Sequence, residues 1–243
     1  MTEEIKKLSE MIGESKNIVF FGGAGVSTES GIPDFRSEQG IYNTVHQYGC
    51  PPEEILSHTF FMRNPEKFFD FYRSTMVYRD ARPNDAHKAL ARLEAMGKLT
   101  AIVTQNIDGL HQAAGSRKVY EVHGSIHRNY CMKCHKAFSL DAVMEMSGVP
   151  RCDKCGGVIK PDVVLYEESL DERAITGSID AIEHADMLIV GGTSLNVYPA
   201  ASFVRYYRGS RLVLINKSET PYDKYADLLI HDSIGKVLGA AVF

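Results

Sequence analysis

Four short apolar runs fix the kind of fold open to this chain: Ile18 to Phe21, Ala101 to Val103, Met187 to Val190 and Leu212 to Ile215. Each is nearly continuous, whereas a strand with one wet face alternates apolar and polar residues. Continuous runs belong to strands covered on both faces, as in a parallel sheet. Helical patterns fall between them. Asn84 stands where it caps a helix through Ala86, Leu90, Leu93 and Met96, with Gly97 as its stop, and a second pattern covers Pro199 to Tyr207. Strand and helix alternating at this spacing predict a doubly wound α/β sheet. Lys118 to Val122 and Asp162 to Leu165 are weaker strand candidates.

Two segments break the alternation. Residues 45–81 are rich in Phe, Tyr and His and read as a helical insert; residues 128–157 contain all the paired cysteines. Together they predict a small second domain inserted into a sheet domain made of 1–44, 82–127 and 158–243. With 243 residues the chain is long enough for one large core plus such a module. Net charge is −4, which gives no support for broad nucleic-acid or membrane-surface binding. The N-terminus, MTEEIKKLSEMI, is charged and amphipathic and lacks a signal peptide's apolar core, and no apolar run approaches bilayer length. A soluble, cytoplasmic protein is expected, with a monomer as the default.

Each main run opens into small or polar residues: Gly22-Gly23-Ala24-Gly25, Thr104-Gln105-Asn106-Ile107-Asp108, Gly191-Gly192-Thr193-Ser194, and Asn216. In a parallel sheet these ends share one edge, where ligands bind at the point of strand-order reversal. The first loop has the makings of a phosphate cradle, with glycines for close approach and a helix N-terminus to follow. It is an imperfect dinucleotide fingerprint, because the third glycine of G-x-G-x-x-G falls on Thr28. An ordinary strand-to-helix turn, and for Asn216 a simple cap, explain the local residues equally well.

Cys131-x-x-Cys134 and Cys152-x-x-Cys155 are separated by 17 residues, the spacing of a zinc ribbon. Two knuckles supply four thiolates and fill a tetrahedron, which makes the zinc structural. His127 and His135 lie nearby, but the cysteines suffice without them; Cys50 reads as a plain thiol. Of nine histidines, His87 and His111 fall in helical patterns and read as packing residues. His123 follows Val119 to Val122 and precedes Gly124, at a strand end, where an imidazole can act as a general base.

Taken together, these pieces resemble the sirtuins, the NAD-dependent protein deacylases. The likeness rests on Gly23 to Ser27 with Ser30-Gly31-Ile32-Pro33-Asp34-Phe35-Arg36; Thr104 to His111; His123-Gly124; the four cysteines; Gly192 to Leu195 with Val197-Tyr198-Pro199; and Asn216. It implies a Rossmann-like domain and a small domain of zinc ribbon plus helical insert, with NAD and an acyl-lysine protein or peptide in the cleft between them. It implies further that Ala24 and Gly25 approach the pyrophosphate and that Thr28, Phe35 and Arg36 close over the cofactor. Gln105, Asn106, Ile107 and Asp108 would line the nicotinamide ribose pocket, with Asp108 reading the carboxamide. Thr193, Ser194 and Asn216 would hold the adenosine end, with Ile234 packed near it. The implied chemistry has the acyl oxygen displace nicotinamide, giving a covalent imidate. His123 then deprotonates a ribose hydroxyl that attacks it, with Asn106 beside it in the catalytic set. NAD is consumed, and O-acyl-ADP-ribose is released.

The implied peptide site is a strand-addition slot between Val163 to Glu167, including Val164, Leu165 and Tyr166, and Asn196-Val197-Tyr198. Here the chain departs from the family's Phe-Gly-Glu, carrying Tyr166-Glu167-Glu168; Gly22 likewise replaces a hydroxyl residue. Relatives that favour acidic acyl groups carry Tyr-x-x-Arg in the insert, but Thr75 stands three residues after Tyr72. Acetyl and longer apolar acyl groups are therefore expected, with Arg73 and Arg79 as the cations able to compensate. Mono-ADP-ribosyl transfer, a non-catalytic NAD sensor and a nucleic-acid-binding ribbon are the competing readings. His123 speaks against the first two and the acidic balance against the third.

Overall fold

The computed structural model describes residues 2–34 and 45–242. Its framework is a six-stranded parallel sheet of β1 (Ile18–Gly22), β2 (Leu99–Thr104), β3 (Val119–Glu121), β7 (Met187–Gly191), β8 (Leu212–Ile215) and β9 (Leu228–Ile230), in the order β3-β2-β1-β7-β8-β9. The continuous apolar runs are explained by two-sided burial. Ile18, Phe20, Ile102, Ile189 and Val213 face one core, closed by the helices Glu3–Glu14, Asp85–Ala95 and Ile234–Val242. Val19, Phe21, Ala101, Val103, Leu188 and Leu214 face the other, under the helix Glu172–Glu183 and the 3-10 helix Ala200–Tyr206. Each fully buried Phe contributes about 1.5–3 kcal/mol by leaving water. The Asp85–Ala95 helix begins as expected, with Asn84 Oδ1 accepting from Ala86 N–H (2.9 Å), and is followed by Gly97 at φ 72°. The pattern over Pro199 to Tyr207 is realised as the tighter 3-10 form.

A second, antiparallel sheet joins β5 (Ala137–Ser139), β4 (Gly124–Cys131) and β6 (Ile159–Val163). It spans 124–163, wider than the 128–157 marked by the cysteines, because β4 starts three residues after β3 ends and pairs along β6 as far as Val163. The insert packs as the short helices Pro52–Ile55, His58–Arg63 and Pro65–Phe71, followed by a π turn over Tyr72–Met76. Phe61, Phe68, Phe69, Phe71 and Tyr72 are buried there with Ile126, Val163 and Leu165 of the ribbon side. Among the described residues, no helix is long and apolar enough to cross a membrane.

His87 and His111 are indeed core residues, with ring centroids 4.8 Å apart. His87 Nδ1 accepts from Asn84 N–H as half of a capping box. Burial lowers the His87 pKa to about 4, and burial with the neighbouring His87 lowers that of His111 to about 3. The unfolded chain, with histidines near 6.5, therefore takes up protons before the folded one does. Stability from these two residues is complete above about pH 6.5 and is lost as pH falls toward the folded values. Thermal melts at successive pH values should show Tm falling below about pH 6.5, with a shallower fall in His111→Phe; an unchanged slope in that variant would remove the pair as the cause.

Candidate active site at the switch point

Strand order reverses between β1 and β7, so the loops after these strands part on either side of a crevice. They are held together by main chain. Gly25 N–H donates to Gly192 O (2.8 Å), and Gly23 N–H points to Gly191 O (3.4 Å). A Cβ on Gly192, at φ 60°, would lie 2.4 Å from Val26 N. A Cβ on Gly25 would lie 2.8 Å from Gly192 Cα. The glycines are there because two backbones touch. Gly22, the departure noted above, is likewise set by packing: a Cβ there would meet the Phe20 ring at 2.5 Å. Among the described residues the loop continues as two single 3-10 turns, Ala24–Val26 and Thr28–Ser30, closed by Gly31 at φ 82°. The expected helix is not among them, and Ala24 and Ser27 of these turns line the crevice.

A polar relay lies beneath this loop. Asn106 Nδ2–H donates to Ser27 Oγ (3.0 Å), and the Ser27 hydroxyl donates to Asp108 Oδ2 (2.6 Å). Asp108 Oδ1 accepts from Leu110 N–H (2.9 Å). Burial pushes the Asp108 carboxyl above its usual range, with the Ser27 and Leu110 hydrogen bonds opposing. Thr193 Oγ1 donates to Gln105 Oε1 (3.0 Å), tying the β7 loop to the β2 loop. The buried Gln105 Nε2 has no partner among the described residues. His123 Nδ1 lies 3.0 Å from Gln105 O. A carbonyl only accepts, so Nδ1 carries the proton and Nε2 is the basic nitrogen of the neutral ring.

These groups line a cavity of about 260 Å³ between the two sheets. Ala24, Gln105, Asn106, Ile107, Asp108 and His123 form its floor, and Val164, Leu165, Tyr166, Val197 and Tyr198 form its far side. Leu56 and Met76 of the helical insert complete an apolar flank. The Val164–Tyr166 segment is stapled to that insert: Tyr166 N–H donates to Leu56 O and His58 N–H to Tyr166 O. Glu167 adopts φ 76°, the conformation for which a glycine is usual, and its carboxylate accepts from Thr59 N–H (2.8 Å) and Thr59 Oγ–H (2.7 Å). Glu168 accepts from Leu165 N–H, Lys160 and His58.

In the ribbon, the Sγ atoms of Cys131, Cys134, Cys152 and Cys155 lie within 4.8 Å of one another. The pairs Cys131–Cys155 and Cys134–Cys152 are 3.4 and 3.6 Å apart, near the roughly 3.8 Å expected between sulfurs of a tetrahedral zinc thiolate. The knuckles turn alike, with His135 (φ 57°) and Gly156 (φ 69°) donating back to Cys131 O and Cys152 O. His135 is thus a turn residue. Four thiolates suit a closed, structural zinc and leave no open position for substrate.

A family model described as the Sir2 family matches residues 23–199. The NAD-dependent protein deacetylase of Clostridium acetobutylicum is 61% identical over 243 residues, covering all of this chain and 99% of that protein. The chain belongs to the Sir2 family. Among solved structures, a Sir2 variant with a deacetylated p53 peptide and 3′-O-acetyl ADP-ribose superposes with a TM-score of 0.88 at 38% identity, covering 97% of this chain and 96% of that one. Sir2Tm bound to a propionylated peptide gives 0.83 at 37%, covering 96% and 95%.

The remaining expected Sir2 positions sit at the edge of this frame. Thr28 Oγ donates to Gly25 O, closing the first loop on itself. Ser194 and Asn196 are exposed on the β7 loop, and Asn216 follows β8 with its amide on Ser218 O. The Ile234 side chain is buried in the core beneath Gly191, where it supports the loop from below. Phe35 and Arg36 lie outside the described residues. Ser27 is the functional position that sequence reading misses. Its only signal is its place in a loop with three hydroxyls, and its role as a hub appears only when β2 brings Asn106 and Asp108 beside it. Gly192→Ala is expected to cost about 1–3 kcal/mol of loop strain, read by calorimetry as roughly tenfold or more weaker NAD binding. Zinc content should stay at the wild-type level, since the thiolates lie in the other sheet; unchanged NAD affinity would contradict the role given to the glycine contact.

Proposed function

We propose that this chain removes acetyl groups from protein lysines with NAD as co-substrate, releasing nicotinamide and O-acetyl-ADP-ribose. The observation that carries the reading is a single cavity that joins the switch-point loops, a histidine of defined tautomer and the Val164–Tyr166 segment. Full-length identity to NAD-dependent deacetylases supports it. Ala24 and Gly25 face the pyrophosphate, Thr193, Ser194 and Asn216 the adenosine end, and Gln105 to Asp108 the nicotinamide ribose. NAD supplies the activation, because its departing nicotinamide makes the ribose carbon electrophilic toward the acyl oxygen. His123 takes a proton from a ribose hydroxyl at Nε2 while Gln105 O holds the ring through Nδ1. Asn106 is oriented by Ser27 toward the same place.

The peptide runs between Val164–Tyr166 and Asn196–Tyr198. The N–H groups of Val164, Leu165 and Tyr166 are taken by His123 O, Glu168 Oε2 and Leu56 O, and the Leu165 and Tyr166 oxygens accept from Glu168 and His58 N–H, so this segment meets the peptide with the Val164 oxygen and its side chains. Glu167 lines the cavity, but its carboxylate is drawn onto Thr59. The acyl pocket is apolar. Arg73 Nη2 is spent on Met146 O (2.8 Å) with its guanidinium over the Phe69 ring, and Arg79 on Asp141 (2.6 Å). Neither cation lines the cavity, so among the described residues no lysine or arginine stands there for a succinyl or malonyl carboxylate, and acetyl or propionyl groups fit.

Mass spectrometry of an acetyl-lysine peptide reaction should show deacetylated peptide and O-acetyl-ADP-ribose with NAD and wild-type protein. His123→Ala should lower the rate by about 10²–10⁴-fold, and a succinyl peptide should react far more slowly than an acetyl one. ADP-ribose appearing on a protein acceptor, without deacetylation, would overturn the proposal.

A further inference from the structure

His127 is left over from the account above. It is no zinc ligand, it does not line the cavity, and its side chain is exposed at the ribbon's surface. Yet its Nε2 lies 3.0 Å from the main-chain O of Asp108. We propose that His127 is a positioning residue for nicotinamide recognition, acting through the backbone of Asp108. The inference rests on the reading of Asp108 as the group that meets the carboxamide.

The argument starts from what holds Asp108. Its two carboxylate oxygens are taken by Ser27 and by Leu110 N–H, so the side chain is held between the loop after β1 and the backbone of its own loop. The aim of the carboxylate then depends on where that loop's backbone sits. Two consecutive residues of β4 fix it from outside: Ile126 N–H donates to Ile107 O (3.0 Å), and His127 Nε2–H donates to Asp108 O. Ile126 uses main chain and would do so with almost any residue there. His127 uses a side chain, so this anchor is a choice of sequence. The next residue, Gly109, takes φ 72°, and a Cβ on it would lie 2.7 Å from His127 Cδ2. The imidazole therefore both donates to the carbonyl before the turn and packs on the turn itself. Without it the Ile107–Gly109 backbone keeps one outside anchor, and the peptide unit carrying Asp108 O is free to rotate. A rotation there swings the carboxylate against its bond to the Ser27 hydroxyl, whereas the adenosine contacts, on the loops after β7 and β8, are untouched.

Nicotinamide and ADP-ribose divide the site at this point, since ADP-ribose carries everything except the carboxamide ring. Binding of each to wild type, His127→Ala, His127→Gln and Asp108→Asn is measured by calorimetry for ADP-ribose and by inhibition of peptide deacetylation for nicotinamide. Losing one hydrogen bond should weaken nicotinamide inhibition in His127→Ala by about threefold to tenfold and leave ADP-ribose affinity unchanged. His127→Gln keeps an N–H donor and should lie closer to wild type. Equal loss of both ligands in His127→Ala would make the residue a general prop for the fold and overturn the proposal. So would wild-type nicotinamide inhibition in His127→Ala alongside weakened inhibition in Asp108→Asn. If Asp108→Asn itself leaves nicotinamide inhibition unchanged, the reading of Asp108 fails, and the proposal falls with it for that separate reason.

Discussion

The contact of one backbone against another, Gly25 N–H on Gly192 O, sets the geometry of the whole site. It forms where β1 and β7 lie side by side at the reversal of strand order, and it requires that neither loop carry a side chain at the point of touch. Because the loops close on each other there, the polar residues they carry are delivered to one crevice. Gln105 is locked to Thr193, and Ser27 to Asn106 and Asp108. The apolar strands below do the energetic work of fixing this edge, and the glycine contact converts that rigidity into a cradle.

The small domain supplies what the large sheet cannot. β4 leaves the edge immediately after His123 and carries Ile126 and His127 past the Asp108 loop before reaching the first cysteine. β6 returns from the ribbon directly into the Val164–Tyr166 segment. Both walls of the cavity are thus continuous with strands that the thiolate cluster staples together. A closed metal site remote from the reacting atoms is in keeping with chemistry driven by a departing nicotinamide. The helical insert is joined to the same wall through Tyr166, Glu167 and Glu168, so the acyl flank and the peptide segment form one unit.

Much of this was legible in the residues. Continuous apolar runs announced the parallel sheet, paired CxxC units the ribbon, and a histidine at a strand end the imidazole that lines the cavity. What escaped had identifiable reasons. β9, only Leu228–Ile230, is too short to show a pattern. The loop after β1 looked like the start of a helix, but its described residues form single 3-10 turns, broken at Gly31 in the left-handed conformation. Ser27 shows only its place among three loop hydroxyls and His127 nothing in its local sequence, because each bonds to residues brought to it by another strand. Glu167 read only as a departure from the family's Phe-Gly-Glu; its left-handed backbone and the bonds to Thr59 depend on where the insert docks. The fates of Arg73 and Arg79 were equally hidden, since their partners, Met146 and Asp141, belong to the ribbon.

The central claim is that nicotinamide departure and deacylation are two faces of one event in this cavity. The direct test is to quantify nicotinamide and deacetylated peptide in the same reaction as it proceeds. The account predicts that the two appear in equal amounts at every time point, with the acetyl group recovered on ADP-ribose. Deacetylated peptide accumulating as free acetate, with NAD left intact, would contradict it.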